Sequence, residues 1–433
     1  TCMGLIGMGS TIYVDTLQFF LFLFGVVALG FVAYDLVGGW DLLNESLSRV
    51  SNIKEKMHNI NLNYASYLSL PGTLKTAESL DKNIFYNGTW TASMVLTFSF
   101  ALTGILLSPN FSMLTFSSKE VQPFASQQAW FSGLLIGFIS IFFTLAIGVG
   151  SIFLGANNVI NKTGNNISNV LPSNVFPDNL DTLIPHLINL IGDYSPIFFS
   201  ILIICAIASF QLTGNFYLSS SAIITRDLIK KFFFKNMKAP EQIFVSRIVI
   251  MLIFFGALSI SFISSEKILS LGSFSLSMGC QMLIPLIALC YFPWFTKHGV
   301  ALGLVVGISV VFLTDEIGQA ILGNILPWNK WPFTIHSSAW GIFLNLSAAS
   351  IISFITQDTK ETNHRQKFHE FINDYKATSV LRRSLKPSAW IITIVWIFFA
   401  VGPGLVLGNN FFGRPQNVES WSFGMPSLWV WQI

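Results

Sequence analysis

The chain has 433 residues, of which 52% are hydrophobic, 15% aromatic and only 10% charged. A soluble domain usually carries about 25% charged residues, so this composition reads as a polytopic membrane protein, and the long apolar runs that follow read as an all-α integral membrane fold. A formal net charge of +3 is too small to suggest a nucleic-acid partner.

Spanning a bilayer takes about 20 mostly apolar residues. The runs that predict spans are roughly 16–38, 91–115, 130–155, 196–225, 248–265, 268–292, 299–314, 338–356 and 389–409, which makes about nine complete helices. Run 299–314 is short and needs its neighbours to extend it. Trp40, Trp90, Trp130, Trp294, Trp340 and Trp390 fall at or near the ends of these runs, as an aromatic belt places them. Thr1 opens inside a Gly-rich apolar stretch and Trp421 to Ile433 resembles the start of another span, so the chain reads as a piece of a longer protein.

Charge in the loops predicts the orientation. Arg226, Lys230, Lys231, Lys235, Lys238 and Arg247 lie between the fourth and fifth runs. Lys360, Arg365, Lys367, Lys376, Arg382, Arg383 and Lys386 lie between the eighth and ninth. The loops after the third, fifth and seventh runs carry one lysine each, Lys162, Lys267 and Lys330. The even loops are therefore expected to face the cytoplasm. The long first loop is placed outside by parity. Residues 357–388, with Phe368, Phe371 and Ile372 among charges, predict a cytoplasmic amphipathic helix on which His364 and His369 are solvated.

His58, His186, His298, His336, His364 and His369 all fall outside the runs, so a bis-His haem is not expected. Cys2, Cys205, Cys280 and Cys290 form no CxxC pair. No Asp, Glu, Lys or Arg occupies the middle of a run, where a proton pump would bury its relay.

Three runs are polar and irregular. In the fourth, Ala208, Gln211, Asn215 and Ser219 recur at spacings of three and four, along one helix face. Two readings stand: helix–helix hydrogen bonding, or a cavity wall with oxygens for a hard cation or a solute. In the second run Pro109, flanked by Ser108, Asn110 and Ser112, predicts either a kink or the kind of broken helix that meets substrate in transporters. The sixth, "LGSFSLSMGCQMLIP", carries Gly272, Ser273, Ser275, Ser277, Gly279 and Pro285.

Four stretches resemble the sodium:solute symporter family. Ser220, Ser221, Thr225, Arg226 and Asp227 match the later half of its signature helix. "STIYVDTLQFF" resembles the family's Trp-Thr-Asp-x-x-Gln opening through Asp15 and Gln18, with Tyr13-Val14 in place of Trp-Thr. "SPNFSMLTFSSKE" resembles the end of its substrate-facing broken helix, with Ser118-Lys119 in a cytoplasmic turn, and "FPWFTKHGVALGLVVG" a tight loop into a Gly-rich helix. The similarity is spread over roughly Ser10 to Gly307.

The resemblance implies a 5+5 inverted-repeat transporter core. Residues 1–38 would be the last helix of the first repeat, 39–90 an extracellular loop and 91–292 the second repeat. Residues 293–433 would be peripheral helices, with a cytoplasmic segment at 357–388. It places the family's sodium site at Ala208, Gln211 and Leu212, altered because Leu212 offers no oxygen, and solute-lining roles at Ser108, Asn110, Asn215 and Ser277. Sodium is the coupling ion by family, with weak or absent dependence expected, and no other cofactor is implied. The leading expectation is a secondary transporter, not an enzyme, moving a small polar solute across a bacterial inner membrane by alternating access. A transporter-like sensor domain of a signalling protein and a structural subunit of a membrane complex are the alternatives.

Overall fold

The computed structural model describes residues 8–44, 69–70, 91–111, 113, 127–155, 180–192, 195–263, 268–323, 325–375, 380–415 and 417–432. Most of the expected outer loop 39–90, the Ser118-Lys119 turn and residues 156–179 of the third loop lie outside the described residues. There is no strand among the described residues.

In chain order the helices are α1 (Met8–Val37), α2 (Ala92–Leu106), a π-helical turn (Gln128–Ile136) running into α3 (Gly137–Gly155), and α4 (Leu183–Gly192). Next come α5 (Pro196–Gln211), α6 (Gly214–Ile223), which continues as a π-helix (Ile224–Phe233), and α7 (Ala239–Ile263). They are followed by α8 (Ile268–Gly279), α9 (Leu283–Tyr291), α10 (Lys297–Thr314), α11 (Glu316–Leu322) and α12 (Ser337–Ile355). The last are α13 (Thr359–Tyr375), α14 (Val380–Ala400) and α15 (Ser427–Gln432).

Among the described residues 7 spans are long and apolar enough to cross a membrane, or 8 with the pair Ser384–Ala400 and Pro403–Asn409, bent by 53°. The protein is an all-α integral membrane protein. The remaining apolar run is the 15-residue α2, about 22 Å long and short of the roughly 30 Å hydrocarbon core. Its start is set by Thr91, whose hydroxyl accepts from the Met94 N–H at 3.1 Å. Ser195 and Pro196 open α5 by the same logic, with the Phe198 N–H donating to the Ser195 hydroxyl.

The three runs singled out for their polar, irregular sequence are each interrupted. The second bends at Leu107–Ser108, where the Ser108 N–H turns to the Ile105 carbonyl at 3.2 Å. The fourth breaks at Leu212–Thr213, where the Thr213 N–H bonds Phe210 three residues back instead of four. The sixth tightens into a 3-10 turn at Cys280–Met282.

The chain forms two compact units, residues Thr1–Ile53 with Pro109–Ser265, and Lys54–Ser108 with Glu266–Ile433. In the first, α1 packs on α3 and α5. Glycines allow the approach: a Cβ on Gly30 would meet the Phe143 ring, and one on Gly25 would meet the Cys205 side chain. Leu29, Val37, Ile147, Leu187, Ile191 and Leu202 form the core of this unit.

In the second unit α10 and α12 form the tightest pair. Gln281 is fully buried beside them, and its amide donates to the Ser277 carbonyl at 3.2 Å and the Ser338 carbonyl at 3.3 Å. Asn345 donates to the Gln281 carbonyl at 3.0 Å. Two buried amides are thus tied to neighbouring backbone, as hydrocarbon surroundings require.

His336, at the head of α12, is also fully buried. Its Nε2 is 3.2 Å from the Ser273 hydroxyl and its Nδ1 2.9 Å from that of Ser338. The Thr97 hydroxyl accepts its backbone N–H at 3.0 Å. Desolvation pushes the imidazole pKa down to about 4, so the neutral ring is the folded form. The unfolded chain protonates it near 6.5, so its contribution to stability is present above that pH and is lost as pH falls towards 4. The loss is on the order of 3 kcal/mol. Nearby Asp315, buried and accepting from the Ser337 hydroxyl, has its pKa raised by burial and runs the opposite way. Unfolding temperatures of the native protein should therefore fall between pH 7 and pH 4.5 by several degrees more than those of His336→Gln. Parallel curves would show that this ring does not titrate on unfolding.

Residues 359–375 form the expected amphipathic helix, with Phe368 and Phe371 exposed. One expectation there is corrected. His364 is exposed, but His369 is only 9% exposed, edge-on to Phe368. Positions 365 and 369 are one turn apart on a face turned towards the protein, half-buried at Arg365 and buried at His369. The run of charges in the sequence hid that face.

Candidate functional site

The fourth run, now α5 and α6 across the Leu212–Thr213 break, carries most of the polar residues that its sequence advertised. Most of its hydroxyls satisfy themselves locally. Ser209 donates to the Ala206 carbonyl at 2.6 Å, Thr213 to Phe210 at 2.6 Å and Ser219 to Asn215 at 2.7 Å. Such back-bonding removes the cost of a hydroxyl in an apolar setting and leaves it with little to offer a ligand. Ser221 shares a hydrogen bond of 3.0 Å with Ser246 and so joins α6 to α7.

Two side chains on the run behave differently. Asn215 donates its amide to Asp15 Oδ2 on α1, and Gln211 Oε1 accepts from Gln18 Nε2, also on α1. Asp15 and Gln18 are three residues apart and so lie on one face of α1, while Gln211 and Asn215 match them four residues apart on α5 and α6. The register continues deeper, where Gly25 meets Cys205. The result is a two-rung polar ladder beside the break, framed by apolar packing.

Each rung leaves one oxygen over. Asp15 is 9% and Gln18 7% exposed, and Asp15 Oδ1 and Gln18 Oε1 are buried without a hydrogen-bond partner. An unpaired buried carboxylate oxygen costs several kcal/mol unless something positive or a donor meets it. A carboxylate oxygen and an amide oxygen on side chains a turn apart form an acceptor pair suited to a hard cation, or, at the carboxylate, a proton.

Ala208 is buried and its carbonyl accepts from the Leu212 N–H at 3.3 Å, while Leu212 is half-buried and presents only hydrocarbon. Gln211 is exposed, with its carbonyl oxygen engaged by Gln18. In the same unit, Asn110 lies just past the bend of the second run, half-buried, and its Oδ1 is buried without a partner. In the other unit, Ser108 is half-buried at that bend. Ser277 is fully enclosed, with its hydroxyl donating to the Ser273 carbonyl at 2.9 Å. Close packing surrounds it: a Cβ on Gly104 of α2 would strike the Leu276 carbonyl of α8, and Gly279 lies against Gly104 in return. The ladder brings Gln211 and Asn215 together with Asp15 and Gln18. Reasoning from the fourth run alone missed that partnership, although a carboxylate and an amide three apart at the start of the first apolar run were a signal for it.

No cluster of three or more His, Cys, Asp or Glu residues able to hold a metal occurs among the described residues. No curated protein matches the chain. The model of the Sodium:solute symporter family matches residues 1–307, which takes in the ladder, the three interrupted runs and the first turns of α10. With the match covering well over half of its length, the chain belongs to the sodium:solute symporter family.

Proposed function

We propose that the protein is a secondary transporter that moves a small polar solute by alternating access, coupled to a cation held at the Asp15–Gln18 face of α1. The observation that carries this reading is the pair of buried, unpartnered oxygens, Asp15 Oδ1 and Gln18 Oε1, beside the break in the fourth run. Family membership supports solute transport with sodium as the ion. The residues at the family's sodium position support a shifted site, since Leu212 has no oxygen to give and Gln211 spends its own on Gln18. Asn110, with its free Oδ1 beside Pro109, is the side chain that supports solute contact in the second run. Ser108, Asn215 and Ser277 would contribute to the solute pathway only where it opens around them.

Sodium binding at the family position, Ala208, Gln211 and Leu212, is accordingly expected to be weak. Restoring two hydroxyls with Gln211→Ser and Leu212→Thr supplies oxygens at the family position and releases Gln18. Uptake in sodium buffer over uptake in choline buffer should then rise by about 5-fold or more relative to the native ratio, from two added oxygen ligands. No rise in that ratio, in a double variant that reaches the membrane at native levels, would show that the family position does not hold sodium in this chain even when its oxygens are restored.

A further inference from the structure

The hairpin between α6 and α7 carries a feature outside the site proposed for the cation and solute. The π-helix ends at Phe234, whose N–H turns back to the Ile229 carbonyl, and the chain reverses into α7. Here Phe232, Phe233, Phe234 and Phe244 are 68%, 70%, 62% and 65% exposed. Phe234, Met237, Pro240, Phe244 and Val245, with Glu241 as the one charged member, line an open, largely apolar groove of about 490 Å³. The segment from Arg226 to Arg247, within which the groove residues fall, holds six basic residues and two acidic ones.

The two acidic residues are spoken for. Asp227 pairs with Arg226 at 3.4 Å, and Glu241 accepts the Lys238 backbone N–H at 2.9 Å, which fixes the reversal. No carboxylate among the described residues pairs with Lys230, Lys231, Lys235 or Lys238. Lys231 lies over the Phe232 ring at 5.8 Å, so its cation stays beside the aromatic face. Four unpaired ammonium groups cannot rest in hydrocarbon, and four exposed phenylalanines are poorly placed in water. A segment with both belongs at the headgroup level, where each part meets its own medium.

We propose that this hairpin binds an anionic phospholipid of the facing leaflet, with the headgroup phosphate on Lys230, Lys231, Lys235 and Lys238 and an acyl chain in the Phe234–Phe244 groove. Charge complementarity selects the anionic headgroup over a zwitterionic one. The groove makes the site a docking place for one lipid rather than a diffuse attraction.

The test uses the full chain in lipid nanodiscs, with Met237→Cys carrying a bimane fluorophore. Cys2 and Cys290 are replaced by alanine, and Cys205 and Cys280 are buried. Brominated phosphatidylglycerol should quench the probe about 3- to 5-fold more effectively than brominated phosphatidylcholine. The excess should fall to about 1 on changing the four lysines to glutamine. Raising the salt to about 0.5 M in the unsubstituted protein should shrink the excess without any substitution, which covers a variant that does not fold. Phe244→Gln should weaken quenching by both lipids. Equal quenching by the two lipids in the unsubstituted protein, as expected were the face covered by an acidic protein or a second copy of the chain, would overturn the proposal.

Discussion

Replacing Gly303 with isoleucine is expected to force α10 and α12 apart and to leave little folded protein in the membrane. A single Cβ at this position would come within 2.7 Å of the Asn345 carbonyl oxygen and 2.8 Å of the Ala349 Cβ. Neither atom is the end of a flexible side chain, so the helices themselves must move. Gly299 faces Ser353 and Ala349, and Gly307 faces Gln281 and Asn345, so the contact is continuous along the pair. Lipid is as apolar as the packed side chains, and such helices are held by close approach and hydrogen bonds instead of a hydrophobic force. Overpacking costs about 1–3 kcal/mol, and loss of the Asn345–Gln281 bond adds roughly 1–2 kcal/mol. The unfolding temperature of the solubilised protein should drop by about 5–10 °C, or the protein should aggregate. Gly256 has open space around its Cβ position, so Gly256→Ile should behave like the native protein. An unchanged melting curve for Gly303→Ile would mean that α10 and α12 do not pack at this crossing.

This pair illustrates what was readable beforehand. The glycines at 299, 303 and 307 recur every four residues, a spacing visible in the sequence, yet nothing local says that residues 337–355 are their partner. The break in the second run was legible because Pro109 is a local signal, whereas the fourth and sixth runs were marked only as polar and irregular, with no position for their interruptions. His336 was not legible. It lies in a loop by composition, and its burial depends on Ser273 and Thr97, which are far away in sequence. The ladder was half legible. Gln211 and Asn215 were found by their spacing, whereas Asp15 and Gln18 were noticed only through resemblance, because the antiparallel register of α1 against α5 is a tertiary fact. The same register explains why the polar face of the fourth run is narrower than its composition suggests, since most of its hydroxyls turn back on their own helix.

Changing Asp15 to asparagine is expected to abolish cation stimulation of uptake while leaving the protein folded. The substitution keeps the shape of the side chain, and an asparagine oxygen can still accept from Asn215, so the rung on α1 survives. What it removes is the negative charge on the oxygen left without a partner. Two unit charges about 4 Å apart interact by roughly 4 kcal/mol at an effective dielectric of 20. Every 1.4 kcal/mol is a factor of about ten, so cation affinity should weaken on the order of 100-fold or more. A carboxylate can serve sodium or a proton, so both are measured. Uptake is compared in sodium and choline buffers, and again at about pH 5.5 and pH 7.5, with surface expression as the control. Both ratios should fall to about 1 in Asp15→Asn. Asn215→Ala is the complementary variant, because it frees Asp15 Oδ2 and keeps the charge, and its stimulation should persist. Stimulation that survives Asp15→Asn undiminished, in protein that reaches the membrane at native levels, would place the coupling ion away from α1 and remove the ladder from the transport cycle.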